Sequence, residues 1–549
     1  MNKITMSMMA FIMFLYPIYA QELAKSEINA LLDLQGEVTF NFKVDNNAQL
    51  SDFTHYLTII NYDYATKQVK AWANQAQFKK FINTDISYRV YKEDNDINKR
   101  LMSSDIDPLS KQLKQGYTLE FPLKAYPTYQ DYAMQMQNFE NEHSDIVDYF
   151  SIGTTEQGDK EILFVKISDN VTTNELEPKL LYTSTMHGDE IAGFPLMLNL
   201  IDYFITAYKD KSHPDHKKIS KLINESEIWI NPNANPDGTY HLSVDNTSVT
   251  FARRGNYNNI DLNRNYPDNI AGLHPDGEKH QLETKHFMKL AFDNQFVIAA
   301  NFHGGSELVN YPWDNTFERH ADDSWWKLTA GEYRKYAQNH SPFGYMDDKN
   351  NGITNGADWY LIHGSRQDYM NSKHQCKELT VELSETKKPF ANQLTALWRY
   401  NKVALTNYLI QGTYGFRGII KDAQTNLPIQ NAQIKAIDHD SNGSWALTDR
   451  NGSFYRPIYS GAYDLIIEAP NYKPILLPRM LIDNYETKSL GSIKLLPALP
   501  KEDALLTLNE ASLQSNTLKN KFSFKTYNLE SNSSELTWIN LVKNIDLFR

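Results

Sequence analysis

Short, almost wholly apolar runs between stretches of helical periodicity constrain the fold of this chain more than any other feature. The clearest run is 296–302, and similar runs occur at 179–185, 227–230 and 378–383. A strand that is apolar along its whole length is buried on both faces, and helices are the elements that cover a sheet in this way. We therefore predict an α/β fold for residues 121–412, with a mixed central sheet flanked by helices.

Two further regions flank this predicted sheet. Residues 21–120 combine an alternating strand pattern at 37–44 with a helix-like stretch that begins at Gln75, which predicts a small α+β N-terminal domain. Residues 413–497 contain short strand patterns separated by turn residues, and this pattern is typical of a β-sandwich. The polar tail 498–549 receives no assignment.

Charge and cysteine content restrict the classes of function and of site. The 549 residues include 55 basic and 67 acidic ones, and the net charge of −12 argues against a nucleic-acid partner bound through overall charge. The single cysteine, Cys376, allows neither an internal disulfide nor a cysteine-rich zinc module. A metal site must therefore use histidine, aspartate and glutamate ligands.

The first twenty residues have the pattern of a secretory signal peptide. Lys3 precedes an uncharged run that ends at Ala20, and this run is shorter than the roughly 20 residues that a membrane-spanning helix needs. We expect residues 1–20 to be removed and the mature protein to be exported, periplasmic or secreted in a bacterium, with no integral membrane span. A single cysteine fits an exported protein whose large core makes disulfides unnecessary.

Residues with the chemistry of a metal site follow the predicted strands. His187 and Glu190 follow one strand, and His303 ends another. In open α/β sheets ligands collect at the carboxyl ends of strands, where these three residues can meet. Imidazole and carboxylate groups suit Zn²⁺, which takes three protein ligands in catalytic sites. For each short motif alone, a surface turn or a hydrogen-bonded core histidine is the alternative interpretation.

Two other charged groups are candidates for chemistry. Arg253 and Arg254 lie in one loop with the segment 261–265, and such arginines can hold a carboxylate through paired hydrogen bonds. A solvated basic loop is the alternative interpretation. Glu382 lies inside an apolar strand, where a carboxylate is costly to bury unless it is paired or bound. Its position is therefore as consistent with a functional residue as with a paired structural carboxylate.

Taken together, these segments resemble the zinc metallocarboxypeptidases, and within them the regulatory subfamily that includes carboxypeptidases D, E, M and N. The resemblance covers residues 122–412, and residues 413–497 are similar to the transthyretin-like β-sandwich that follows the catalytic domain in that subfamily. Six segments carry it in the same order: HGDE (187–190), NPDG (235–238), NNIDLNRNYPD (258–268), NFHGGSELVNYPWD (301–314), GITNGADWY (352–360) and ELTVELSETKKP (378–389). Six ordered matches are far more specific than a single motif.

The resemblance implies a role for each candidate residue. Three residues match the ligands of one zinc ion per chain: His187, Glu190 and His303. Asp261 matches the carboxylate that orients the first ligating histidine, Glu382 matches the general base, and Arg254 matches the residue that polarises the scissile carbonyl. Three residues match the groups that bind the terminal carboxylate of the substrate: Asn263, Arg264 and Tyr360.

The same resemblance predicts the preferred substrate. Asp314 stands where members selective for basic residues have their pocket carboxylate, and Gln367 matches a second pocket residue. An acidic pocket favours a C-terminal Arg or Lys. Arg366 stands where the family commonly has Met, and its positive charge opposes this preference. Residues 21–120 have no counterpart in the animal members and are either a prosegment or a fused module.

We therefore expect a zinc-dependent metallocarboxypeptidase, a monomeric hydrolase that cleaves the last peptide bond of peptides or proteins with a free C-terminus, with a preference for Arg or Lys. One alternative is a periplasmic hydrolase of cell-wall peptides with the same chemistry, in which Asp314 binds the amino end of a diamino acid. Another is a non-catalytic binding protein on the same scaffold. The retention of all metal positions and of Glu382 argues against the latter.

Overall fold

The described part of the chain contains an N-terminal α+β region, a large α/β region and a β-sandwich. The computed structural model describes residues 22–54, 56–91, 102, 119–173 and 175–498. The predicted signal peptide at 1–20 and all but the first residue of the tail 498–549 lie outside these ranges. Within the described ranges, none of the helices has both the length and the apolar character needed to span a bilayer.

In its described residues, the N-terminal region is a four-stranded antiparallel sheet with three helices. Its strands and helices are Glu37–Lys43 (β1), Thr58–Asp63 (β2), Gln68–Asn74 (β3), Tyr88–Arg89 (β4), Lys25–Gln35 (α1), Asn47–Thr54 (α2) and Gln75–Ile82 (α3). The strand order β2-β3-β1-β4 makes β2 an edge strand. Phe40 and Phe42 of β1 pack against Phe81 of α3, with ring centroids 4.7 and 4.8 Å apart. This architecture agrees with the predicted α+β fold.

The large region is built on one mixed sheet. Its strands are Val147–Thr154 (β5), Glu161–Ile167 (β6), Lys179–Ser184 (β7), Glu227–Asn231 (β8), Phe296–His303 (β9), Ser306–Tyr311 (β10), Ile353–Asn355 (β11) and Lys377–Ser384 (β12). They form an eight-stranded sheet in the order β11-β10-β12-β9-β7-β8-β6-β5. The central strands β12, β9, β7 and β8 are parallel, whereas β10 and β6 run antiparallel to them. The predicted mixed central sheet is confirmed.

Helices cover both faces of this sheet. The helices of eight residues or more are Tyr129–His143 (α4), Gly193–Lys209 (α5), His216–Ile223 (α6), Leu282–Asp293 (α7), Asp323–Asn339 (α8), Arg366–His374 (α9) and Ala391–Gln411 (α10). Shorter helical turns lie at Pro236–Thr239, Val244–Asn246, Leu262–Arg264, Asp348–Gly352 and Gly356–Trp359. In β7, Leu180 and Tyr182 belong to the core under α5, α8 and α10, whereas Leu181 belongs to the core with Phe287 of α7. The apolar runs therefore reflect burial on both faces.

The last described region is a β-sandwich. Its strands are Gly415–Asp422 (β13), Gln433–Ala436 (β14), Ala446–Leu447 (β15), Ser453–Arg456 (β16), Gly461–Glu468 (β17), Ile475–Ile482 (β18) and Thr487–Leu495 (β19). They form a three-stranded sheet, β16-β13-β19, and a four-stranded sheet, β15-β14-β17-β18. Ile420, Ile434 and Leu465 are fully buried between the two sheets. This region agrees with the predicted sandwich.

The parallel strands place their carboxyl ends at one edge of the central sheet. Ser184 of β7 is in register with Phe302 of β9, and His303 of β9 is in register with Glu382 of β12. β8 ends at the same edge because it pairs in parallel with β7. The segments that follow these strands therefore start side by side.

Candidate metal centre and substrate-binding site

Three buried side chains meet at the carboxyl ends of β7 and β9. His187 and Glu190 lie in the loop after β7, and His303 is the last residue of β9. The Nδ1 atoms of both histidines lie 2.7 Å from Oε2 of Glu190, and these two nitrogens are 2.9 Å apart. The three donor atoms thus surround one point, which is the arrangement of a metal centre.

The protonation of these groups fits a divalent cation. Oδ1 of Asp261 lies 3.0 Å from Nε2 of His187, so the proton is held on that nitrogen and the Nδ1 lone pair faces the cluster. Burial and the adjacent His187 lower the pKa of His303 to about 4, which leaves that imidazole neutral at pH 7. Burial alone would raise the pKa of Glu190, but His187 and Lys387 hold it well below its usual value. Two imidazoles and a carboxylate are a donor set that suits Zn²⁺.

The loops that carry these residues are tied together through their backbones. Asn235, in the NPDG segment, donates to the carbonyl oxygens of Met186 at 3.1 Å and Arg254 at 3.3 Å. Gly188 approaches Gly238 so closely that an added Cβ atom would lie 2.4 Å from the Gly238 backbone. A glycine is therefore required within the HGDE segment by this close approach.

Arg254 bridges two buried carboxylates of the site. Its Nε donates to Oδ2 of Asp261 at 2.9 Å, and its Nη1 donates to Oε1 of Glu190 at 3.0 Å. Both carboxylates also face His187 through their other oxygens. The guanidinium therefore sits beside the three donor atoms of the metal centre.

Glu382 lies next to the metal centre on β12. It is in register with His303, and its Oε2 atom is buried without a hydrogen-bond partner among the described residues. Burial and the nearby Glu190 carboxylate raise the pKa of Glu382 well above its usual value, although Arg254 opposes this. A carboxylate with a raised pKa can take up a proton from water and release it again.

The three residues expected to bind a terminal carboxylate lie close to these groups. Nη1 of Arg264 donates to the carbonyl oxygen of Asn263 at 2.8 Å, and Nη2 donates to the carbonyl oxygen of Ile59 in β2 at 3.2 Å. Oδ1 of Asn263 accepts from the backbone N–H of Arg366 at 2.9 Å. Burial raises the pKa of Tyr360 to about 12, and Arg264 opposes the rise, so the phenol lies within the field of that guanidinium.

Asp314 and Gln367 form a buried acidic site. Nε2 of Gln367 donates to Oδ1 of Asp314 at 3.1 Å, and Nδ2 of Asn310 donates to the same oxygen at 3.0 Å. Burial raises the pKa of Asp314. A Cβ atom added to Gly356 would lie 1.9 Å from that oxygen, so the glycine of the GITNG segment makes room for the carboxylate.

The charge of Arg366 is paired inside the protein. Its Nη1 donates to Oγ1 of Thr183 at 2.7 Å, and its Nη2 lies 3.3 Å from Oε2 of Glu378. The guanidinium also stacks on Phe287 at 4.6 Å from the ring centroid. The positive charge that the sequence places beside the pocket is thus balanced by Glu378.

Four residues that contact the site were missed by the sequence analysis: Glu37, Thr58, Asp189 and Lys387. Oγ1 of Thr58 donates to Oδ2 of Asp261 at 2.9 Å, and Oε1 of Glu37 accepts from the backbone N–H of Arg254 at 2.9 Å. Both come from the N-terminal region, about 200 residues away in sequence, where no local pattern marks them. Asp189 and Lys387 had a usable signal, because they stand inside the HGDE (187–190) and ELTVELSETKKP (378–389) segments.

Comparisons with known proteins agree with this geometry. Residues 132–404 match the sequence profile of the zinc carboxypeptidase family. The chain is 33% identical over 362 residues to carboxypeptidase D of Mus musculus, which covers 63% of this chain and 25% of that protein. It is 30% identical over 381 residues to the carboxypeptidase N catalytic chain of Rattus norvegicus, which covers 63% of this chain and 81% of that protein.

The fold agrees with a solved structure as well. The crystal structure of the carboxypeptidase A from Helicoverpa armigera matches with a TM-score of 0.50 at 17% identity, over 68% of this chain and 98% of that one. The chain spans about a quarter of the length of the carboxypeptidase D proteins that it matches. On the family match and the similarity to the carboxypeptidase N catalytic chain, this chain belongs to the zinc carboxypeptidase family, a zinc-dependent family of metallocarboxypeptidase hydrolases.

Proposed function

We propose that this protein removes the C-terminal residue from peptides or proteins and that it prefers a C-terminal Arg or Lys. The observation that carries the activity is the convergence of His187, Glu190 and His303 beside the buried Glu382 carboxylate. Similarity to the catalytic chain of carboxypeptidase N supports the same reaction. Peptides with a free C-terminus are therefore the proposed substrates.

Each group around the metal centre has a separate role in the proposed hydrolysis. Zinc held by His187, Glu190 and His303 would supply Lewis-acid chemistry, which makes a water molecule more acidic and a carbonyl group more polar. Glu382 accepts the proton of the attacking water and returns it to the leaving amine. Arg254 stabilises the negative charge that develops on the carbonyl oxygen.

A carboxylate-binding group would restrict the reaction to the last residue. Arg264, Asn263 and Tyr360 hold the free carboxylate of the substrate, so the bond before it is the one placed at Glu382. An internal peptide bond has no such carboxylate nearby. We therefore expect weak endopeptidase activity.

Asp314 and Gln367 are the proposed selectors for a basic side chain. A buried carboxylate with hydrogen-bonded neighbours offers a cationic side chain a charge partner and repels an acidic one. Because Glu378 pairs with Arg366, that arginine opposes the preference less than its position in the sequence indicates. The amino end of a diamino acid in a cell-wall peptide has the same charge, and it is the second candidate substrate.

Peptides that differ only in the last residue test this proposal. We expect release of Arg and Lys, little release of Phe and Glu, and loss of release when a zinc chelator is added. Preferred release of Phe would keep the zinc chemistry and contradict the role of Asp314, whereas preferred cleavage of purified wall peptides would favour the second substrate. Wild-type turnover in a zinc-loaded Glu382→Gln variant would contradict the mechanism.

We further propose that the N-terminal region is an inhibitory prosegment instead of a fused module. The guanidinium of Arg264 is the proposed binding group for the substrate carboxylate, and it donates a hydrogen bond to the carbonyl oxygen of Ile59. The neighbouring Thr58 contacts Asp261, and Tyr360 packs against the hydrophobic core of the N-terminal region. These contacts support the proposal that a strand of this region occupies the binding site for the end of a peptide.

We also propose that the protein is a bacterial enzyme exported to the periplasm or medium and that it acts there as a monomer. The pattern of residues 1–20 supports export. N-terminal sequencing of the exported protein, before any removal of the N-terminal region, tests the export signal, with Gln21 as the expected first residue. Sedimentation of the purified protein tests the monomeric state.

A further inference from the structure

The ammonium group of Lys387 lies against a carboxylate of the metal centre. Its Nζ atom is 3.3 Å from Oε1 of Glu190 and 3.0 Å from Oδ2 of Asp189. The lysine side chain is 15% exposed, and the Glu190 side chain is 4% exposed. A contact this sheltered from solvent is screened little by salt.

The two oxygens of Glu190 have separate partners. Oε2 faces the Nδ1 atoms of His187 and His303, which is the side that a metal would occupy. Oε1 accepts from Arg254 at 3.0 Å and lies 3.3 Å from Lys387. Both cationic groups hold Oε1, so Oε2 would be the oxygen available to a metal.

Lys387 is itself held in place by the loops around it. Its carbonyl oxygen accepts from the backbone N–H of Ile191, next to the ligand Glu190, at 3.0 Å. A Cβ atom added to Gly305 would lie 3.5 Å from Cγ of Lys387, so the glycines after His303 leave a surface on which the lysine stem lies. Asp189 is 7% exposed, and Lys387 supplies its counter-charge.

We propose that Lys387 is a positioning residue that fixes the orientation of the metal ligand Glu190, and that Asp189 in turn anchors Lys387. The inference rests on the proposed zinc function. Without the ammonium group, the Glu190 carboxylate loses one of its two cationic restraints and the Asp189 carboxylate stays buried without its partner. Partners of this kind typically change metal affinity by about 10- to 100-fold.

Zinc affinity, measured by competition with a fluorescent chelator on the full chain, tests the inference without any assay of activity. Lys387→Met keeps a similar side-chain length and removes the charge, and we expect about 10-fold weaker zinc binding. Lys387→Arg, which keeps the charge, should restore most of the affinity. Lys166→Met is the matched control, because Lys166 is also 15% exposed and pairs with Asp148 at 3.2 Å, away from the ligands.

The outcomes separate this inference from the function on which it rests. Unchanged or tighter zinc binding by Lys387→Met would overturn it, because removal of a nearby positive charge without loss of orientation favours a cation. Failure of the wild-type protein to bind zinc would instead overturn the proposed function. If Lys387→Met does not fold, Asp189→Asn removes the anchor alone, and wild-type zinc affinity in that variant would contradict the anchoring role.

Discussion

At the scale of single residues, buried carboxylates are distinguished by the cations that face them. Asp261 faces Arg254, and Glu378 faces Arg366. Asp314 has amide donors from neutral side chains instead, and burial raises its pKa. A carboxylate without its own cationic partner is the one best suited to receive a cation from a substrate.

This difference predicts the effect of Asp314→Asn. The variant keeps the shape of the side chain and removes the charge, so the ratio of kcat/KM for peptides ending in Arg and in Phe should fall about 10- to 100-fold, since hydrogen bonds to charged groups contribute about 1.5–3 kcal/mol. Steady-state kinetics on the two peptides measure it. Asn310→Ala, which removes a neutral donor to Asp314, should change the ratio much less. An unchanged ratio in Asp314→Asn would place the selector elsewhere.

Glu37 predicts a pH dependence of stability. Burial and the Asp189 carboxylate raise its pKa from 4.5 to about 7. Between these two pKa values the folded state therefore keeps a proton that the unfolded state releases. The contribution of Glu37 to the free energy of unfolding should fall by about 3 kcal/mol at most as the pH rises from 4.5 to 7, and it should be level above that pH. Urea unfolding at several pH values measures it, with Glu37→Gln as the reference. Parallel pH curves for the two proteins would contradict the raised pKa.

At the scale of elements, the edge strand β2 links the N-terminal region to the site. An edge strand has unpaired backbone groups on its outer side, and the carbonyl oxygen of Ile59 meets Arg264 there. The pairing with β3 shifts register between Ile59 and Asn61, and Oδ1 of Asn61 accepts from Nε1 of Trp359 at 3.1 Å. The strand thus contacts the site through both its backbone and its side chains.

If this strand blocks the substrate, loosening it should activate the enzyme. We expect the double variant Thr58→Val and Asn61→Ala to raise hydrolysis of an Arg-ended peptide by at least about 5-fold, because two hydrogen bonds of about 1 kcal/mol each are lost. Cleavage at a protease site introduced between residues 92 and 101 should raise it further. Gln68→Ala, in which the lost side-chain bond lies within the N-terminal sheet, is the control. Equal activity of the protein that carries this protease site, before and after cleavage, would favour a fused module.

At the scale of the whole molecule, a buried ion network joins the β-sandwich to the α/β region. Asp322, just before α8, pairs with Arg456 of β16 at 3.0 Å and with Lys377 of β12. Arg456 also pairs with Asp440 of the sandwich. Asp322 and Asp440 meet His439 in a group that could hold a metal, but Arg456 and Lys377 already supply positive charge there.

Arg456→Met should therefore lower the free energy of unfolding of the protein without changing the metal centre. It leaves two buried carboxylates short of a partner, and we expect a loss of about 3–5 kcal/mol in the free energy of unfolding. Denaturant unfolding measures the loss, and zinc affinity below the transition should stay at the wild-type value. Arg479→Met, at an exposed position of β18, should cost less than about 0.5 kcal/mol. A similar small loss for Arg456→Met would show that the network does not hold the two regions together.

The amino-acid sequence by itself determined the elements and the residue types of the site. The run 296–302 predicts a buried strand, and the structure has β9 at Phe296–His303, because periodicity and burial are properties of neighbouring residues. His187, Glu190 and His303 were identified from ordered motifs, and the parallel strands bring them together. Local patterns were sufficient for residues that lie at the end of a strand or in the loop directly after it.

Only the tertiary structure decided which charges are paired. Arg366 meets Glu378, Lys387 meets Asp189 and Glu190, and Glu37 and Thr58 reach the site from a separate region. Lys387 and Asp189 are 198 residues apart, and Thr58 and Asp261 are 203 residues apart. Such pairs depend on how loops from different elements pack, and hydrophobic periodicity carries no information about them. The residue types of the metal centre were therefore predictable from sequence, whereas the contacts that Glu37, Thr58 and Lys387 make with it were not.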